Sequence, residues 1–168
     1  RPQDYFWHGD ERSAAEAFQI FNIQDLLCCE NGALFFCEGE HNLLPFKQFG
    51  FPGIAVPHST ALENINPEIF AYLRNLFIIM VNSGESETAA RTLAARVGYK
   101  VRLLRWPAGL PRGYSVWQLA RDSGNDFRER IRTMIQSART FSPFPAPQAE
   151  HDRFFRKMEA EQGDAFAE

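Results

Sequence analysis

Apolar residues along this chain gather in short unbroken runs, each followed by a polar turn and then by a stretch with helical spacing. Ala33 to Cys37, Gly53 to Val56 and Leu76 to Val81 have the length and continuity of strands covered on both faces. Lys100 to Leu104 alternates charged and apolar residues, which suits a strand at a sheet edge. Between the runs, Asn42 to Phe49 reads as a helix with Pro45 in its first turn and Gly50 as its stop. Asn66-Pro67 reads as the cap and first position of a helix reaching Arg74, with Glu68 at the positive end of its dipole. A further helix from about Glu87 to Val97 closes on Gly98. Trp106 to Tyr114 is a Pro/Gly-rich loop, and helices follow at Ser115 to Arg121 and Asp126 to Thr140. Ahead of the first strand, Ser13 to Leu27 mixes apolar residues with Asn22 and predicts an irregular helical lead-in, and Asn31-Gly32 marks a turn.

Strands alternating with helices predict an α/β fold, a mostly parallel sheet flanked by helices. In such sheets the loops at the strands' carboxyl ends share one edge, and ligands bind there. Residues 38–42, 57–60 and 82–86 are therefore expected to converge.

Composition narrows the class. At 168 residues, with 45% hydrophobic and 14% aromatic content, the chain can bury a sizeable core. No run approaches the roughly 20 apolar residues that span a bilayer, so no membrane partner and a cytoplasmic location are expected. The net charge of -3 argues against a strong nonspecific grip on nucleic acid by the whole chain. Cys28, Cys29 and Cys37 lack the spacing of a zinc site and read as buried free thiols. Arg1 to Arg12 opens without a start signal, like the middle of a longer protein. The expected division is a lead-in over 1–32 ending a preceding subdomain, a core over 33–124, a C-terminal helix over 125–141, and a linker and tail over 142–168.

The stretch CEGEHN, Cys37 to Asn42, places two carboxylates around a glycine at the exit of the first buried run. With FFCEGEHNLLPFKQFGFPGIAVP, LFIIMVNSGESETAARTLAARVG and RLLRWPAG in that order, residues 33 to 124 resemble the TOPRIM domain of bacterial primases and primase-helicases. The resemblance implies a Rossmann-like sheet and phosphoryl-transfer chemistry with Mg²⁺ held by hard carboxylate oxygens. It assigns the family's first glutamate to Glu38 and its glycine to Gly39. The motif's next acidic position falls on Asn42. The family's Asp-x-Asp pair falls on Asn82 and Gly84 counting from the strand, or on Val81 and Ser83 counting back from the helix. The further acidic stretch, near Gly113 to Trp117, contains no acid.

Only one carboxylate of the implied set remains, and Mg²⁺ gives up its water reluctantly. The expectation is a degenerate TOPRIM-like domain of a DNA replication or mobile-element primase-type protein, with no cofactor and no catalysis of its own. It would act as an architectural or nucleic-acid-guiding module, with neighbouring primase or helicase domains of the same polypeptide, and single-stranded DNA, as its partners. Two alternatives stand beside it. One is an active Mg²⁺-dependent nucleotidyltransferase using Glu38 with displaced ligands such as Glu40, Glu85 and Glu87, although Glu40 is expected to point away from Glu38 and the other two to sit in a helix's first turn. The other is a protein-interaction module. His41 and His58 read as solvated loop residues or, with Glu38, as a transition-metal set; Ser59, Ser83 and Ser86 read as loop and cap residues. Lys100, Arg102, Arg105 and Arg112, interleaved with Trp106 and Tyr114, are the candidate contacts to a single strand, weighed against a solvated face.

Overall fold

The four runs become four strands: β1 (Ala33–Glu38), β2 (Gly53–Val56), β3 (Asn75–Ile79) and β4 (Val101–Leu103). The computed structural model describes residues 20–29 and 32–141. The strands pair in the order β2-β1-β3-β4, every pair parallel. Successive side chains of a strand face opposite ways. Leu34, Phe36, Ile54, Val56, Leu76 and Ile78 therefore meet one apolar layer, and Phe35, Cys37, Ala55, Phe77 and Ile79 meet another. The first layer is built by two 3₁₀ segments, Ser59–Asn64 and Pro67–Phe70, and by a helix over Gly84–Val97. The second is built by helices over Glu40–Gln48, Val116–Ser123 and Phe127–Ser137. With Ile23–Cys28 as α1, these helices are α2 (Glu40–Gln48), α3 (Gly84–Val97), α4 (Val116–Ser123) and α5 (Phe127–Ser137). In the second layer Phe35 stacks on Phe46 at 4.7 Å and on Phe77 at 5.2 Å, and Phe127 and Ile131 of α5 are fully buried.

This is the predicted architecture. From β1 the chain crosses by α2 to β2 on one side, and the later strands lie on β1's other side. The strand order thus reverses between β1 and β3, and their carboxyl ends form the crevice where α/β sheets bind ligands.

Several boundaries move for identifiable reasons. α2 starts at Glu40 rather than Asn42, because Gly39 turns sharply out of β1 at φ 82° and its carbonyl already accepts from the Asn42 N–H at 3.0 Å. Pro45 therefore lies in the second turn, not the first; the carbonyl it cannot serve belongs to exposed His41, which water can reach. The helix expected to reach Arg74 stops as a 3₁₀ segment at Phe70. Asn66 caps it as expected, through Oδ1 to the Glu68 N–H at 3.0 Å, but the Arg74 and Asn75 N–H groups donate to Gly32 O and draw the chain into β3. α3 begins at Gly84, capped by Ser83, so that Glu85 and Glu87 occupy its first turn as expected. α5 ends at Ser137, because Thr140 pairs antiparallel with Arg102 and the Phe141 N–H donates to Val101 O at 2.9 Å. On the opposite edge Phe21 pairs antiparallel with Ala55. Of the cysteines only Cys37 is buried; Cys28 is exposed. The opening Arg1 to Arg12, the start of the lead-in, Asn31 of its turn and the proline-rich tail lie outside the described residues. No helix among the described residues is long and apolar enough to cross a membrane.

Candidate functional site

Glu38 is the last residue of β1, and its carboxylate sits in the crevice between β1 and β3. The three strand-end loops converge on it. Its Oε1 accepts from the Ser59 N–H at 3.0 Å, and its Oε2 accepts from the Ser86 hydroxyl at 2.7 Å and the Val81 N–H at 3.4 Å. Both oxygens are therefore engaged by the protein, which joins the exits of β1, β2 and β3 to α3. Ser86 is buried and is held in turn by Ser83, whose Oγ accepts the Ser86 N–H at 3.0 Å and lies 2.9 Å from its hydroxyl. In the sequence Ser86 reads only as a loop or cap residue; its three-residue offset from Ser83 fits a capping contact, and nothing local points to Glu38.

The amides at the positions where the resemblance implies acids, Asn42 and Asn82, are engaged too. Asn42 is buried, donating from Nδ2 to the Glu38 carbonyl at 2.6 Å and accepting on Oδ1 from the Trp117 N–H at 2.8 Å, an otherwise unpaired donor in the first turn of α4. Asn82 donates from Nδ2 to the carbonyls of Leu110 at 3.1 Å and Pro111 at 2.9 Å, while its backbone exchanges hydrogen bonds with Gly113 and Tyr114. Each amide nitrogen meets backbone carbonyls, so each position needs a donor. A carboxylate there would meet oxygen with oxygen.

Among the described residues, no hydrogen bond or ion pair joins the Glu38 carboxylate to the remaining candidates. Glu40 is exposed at the start of α2, Glu85 is 3.5 Å from Arg112, and Glu87 pairs with Arg91 at 2.8 Å. The His41 ring lies 3.2 Å from the Asn42 amide and His58 contacts the Thr60 hydroxyl, so the two histidines do not form a set with Glu38. Gly84 opens α3 and supplies no side chain. Of the four cations, Lys100 is committed to the fold: its ammonium donates to the carbonyls of Phe70 at 3.1 Å and Ala71 at 2.8 Å. Arg102 is half-buried on β4, while Arg105 and Arg112 are exposed.

No protein-family model and no curated protein sequence matches this chain. Solved structures match it by fold. The Aquifex aeolicus primase, comprising zinc-binding and RNA polymerase domains, gives a TM-score of 0.51 at 17% identity, over 73% of this chain and 30% of that one. The fold is primase-like. The E. coli primase catalytic core gives 0.51 at 14% identity over 83% and 43%, and the DnaG primase catalytic domain bound to ssDNA gives 0.50 at 16% over 73% and 39%. The chain spans less than half the length of each of these three.

Mg²⁺ is held through one or two carboxylates with waters completing a near-octahedral shell, and within this primase-like fold the crevice supplies, among the described residues, only Glu38. Glu38 offers a single carboxylate whose oxygens already accept hydrogen bonds. Among the described residues no group of three or more His, Cys, Asp or Glu side chains is placed to hold a metal ion.

Proposed function

We propose that this chain is a TOPRIM-like domain of a DNA primase-type replication protein whose metal corner has become a structural lock. On this reading the domain is not catalytic; it braces neighbouring primase or helicase modules of the same polypeptide and guides a single strand past a site elsewhere. The observation that carries it is Glu38: the one acid left at the motif positions spends both oxygens on Ser59, Val81 and Ser86. The ordered motif series over 33–124 and the primase-like fold support the family; the amides of Asn42 and Asn82, turned to backbone carbonyls, support the loss of the metal.

Mn²⁺ is the direct test, because a bound ion broadens nearby NMR signals. Titration of the chain should leave the resonances of Glu38, Ser59 and Ser86 sharp at millimolar ion, and Glu38→Gln should leave primer synthesis by a longer protein unchanged once its fold is verified. Selective broadening at Glu38, or loss of synthesis in a folded Glu38→Gln protein, overturns the reading. Strand guiding has its own test: binding of an oligodeoxythymidylate should weaken steeply with salt and weaken further on Arg102→Gln and Arg105→Gln. Absence of binding at low salt would favour the protein-interaction module instead.

A further inference from the structure

Beside the Glu38 corner, between the exits of β3 and β4 and the inner side of α3, lies a cleft of about 290 Å³. Glu38 does not line it. Its floor is apolar, from Ile78, Met80 and Ala90, all buried. One wall is the Trp106 side chain, fixed by an Nε1–H bond to Met80 O at 2.8 Å and by an edge contact with Tyr114 at 5.2 Å. The exposed side chains at its mouth are a guanidinium, Arg105, and Glu87, whose carboxylate is already paired with Arg91 at 2.8 Å. The volume sits at the lower end of the range for small-molecule sites, about 300 Å³, which suits a single ring system.

Charge restricts what enters. Two glutamates in the first turn of α3, Glu85 and Glu87, offset the attraction a helix start has for anions, so a phosphate is disfavoured inside. A neutral ring satisfies the floor and the indole, and the Arg105 guanidinium at the mouth matches an edge that carries acceptor groups. We propose that this cleft receives one nucleobase, a neutral planar ring with such an edge, from a free nucleoside or from a single strand. The proposal rests on the strand-guiding reading only for the source of the ring.

The full chain, ¹⁵N-labelled, is titrated in turn with adenosine, guanosine, cytidine, thymidine and an oligodeoxythymidylate, with the indole N–H signal of Trp106, assigned through Trp106→Phe, as the readout. At least one nucleoside should shift that signal saturably, with half-saturation on the order of 1 mM. Ala90→Met, which fills the floor, should weaken it about tenfold or more, the equivalent of one stacked base. Arg105→Gln, at an exposed position that leaves the fold intact, should weaken it as well. No saturable shift with any nucleoside, or shifts indifferent to both substitutions, overturns the proposal. If nucleosides bind and the oligonucleotide does not, the ring site stands and strand guiding fails. If the oligonucleotide binds without moving Trp106 and nucleosides do nothing, strand guiding stands and the ring site fails.

Discussion

Glu38 ties three segments together through one side chain. Its two oxygens serve three donors, and a buried or half-buried donor left without its acceptor costs about 1–3 kcal/mol. Glu38→Gln keeps one acceptor but turns an amide NH₂ toward a backbone N–H, so we expect a stability loss of about 1–3 kcal/mol in urea unfolding. An unchanged midpoint would mean that the lock holds nothing. Asn42→Asp weighs two effects against each other. A negative charge in the first turn of α2 gains about 0.3–1 kcal/mol from the dipole, whereas loss of the donor facing the Glu38 carbonyl costs about 1–3 kcal/mol. Destabilisation should win, and the sign of the measured change decides it.

Asp25 is the residue most informative about pH. Burial alone would raise its carboxyl, but hydrogen bonds from Lys47 and from the Gly53 N–H outweigh burial and hold it below the ordinary carboxylate range. A group lowered by folding lends stability that is complete above its unfolded value and is lost as pH falls through its folded value. Asp25→Asn should therefore lower stability at neutral pH and flatten its decline below about pH 4, where the wild-type carboxyl takes up its proton. Parallel curves for the two proteins across that interval would contradict this.

Among the elements, cations tie segment ends. Arg96 donates to the carbonyls of Leu62, Glu63 and Ile65 at the close of the Ser59–Asn64 segment, and Lys100 serves Phe70 and Ala71. Lys100→Ala should cost about 1–2 kcal/mol of stability while leaving oligonucleotide binding unchanged, which separates a fold clamp from a phosphate contact. Equal stability with weakened binding would reverse that assignment. The strands were legible because both faces of the sheet are covered, which makes each one a continuous apolar run such as LFII in β3. Gly98 and Asn66 announced their caps by local chemistry, whereas the start of α3 at Gly84, three residues ahead of the expected Glu87, follows from the Ser83 cap. Convergence of the three strand-end loops on one edge was legible from parallel topology alone. What the sequence hid depends on distant partners: Asn42 reaches Trp117, 75 residues away, Asn82 reaches Pro111, 29 residues away, and the Pro67 helix is cut short by Gly32. The cleft at Trp106 likewise needs β3, α3 and β4 to be assembled before it exists.

For the molecule as a whole, both sheet edges are covered by short antiparallel contacts, Phe21 on β2 and Thr140 on β4. An open edge invites pairing with another chain. A chain ending at Ser137 loses the Thr140 cover and the Phe141 side chain that packs on the core, so it should sediment as larger species at concentrations where the full chain does not. Identical sedimentation would show that the cover is dispensable. These two contacts lie on opposite sides of a four-stranded sheet, and that gives the domain a mechanical character. A pull on residues 20 and 141 meets these isolated bridges before it reaches the four paired positions of β1 with β2 and the five of β1 with β3. The edges let go first while the β1·β3 seam at the centre still holds, and a pull from the flanks is met by yielding in stages.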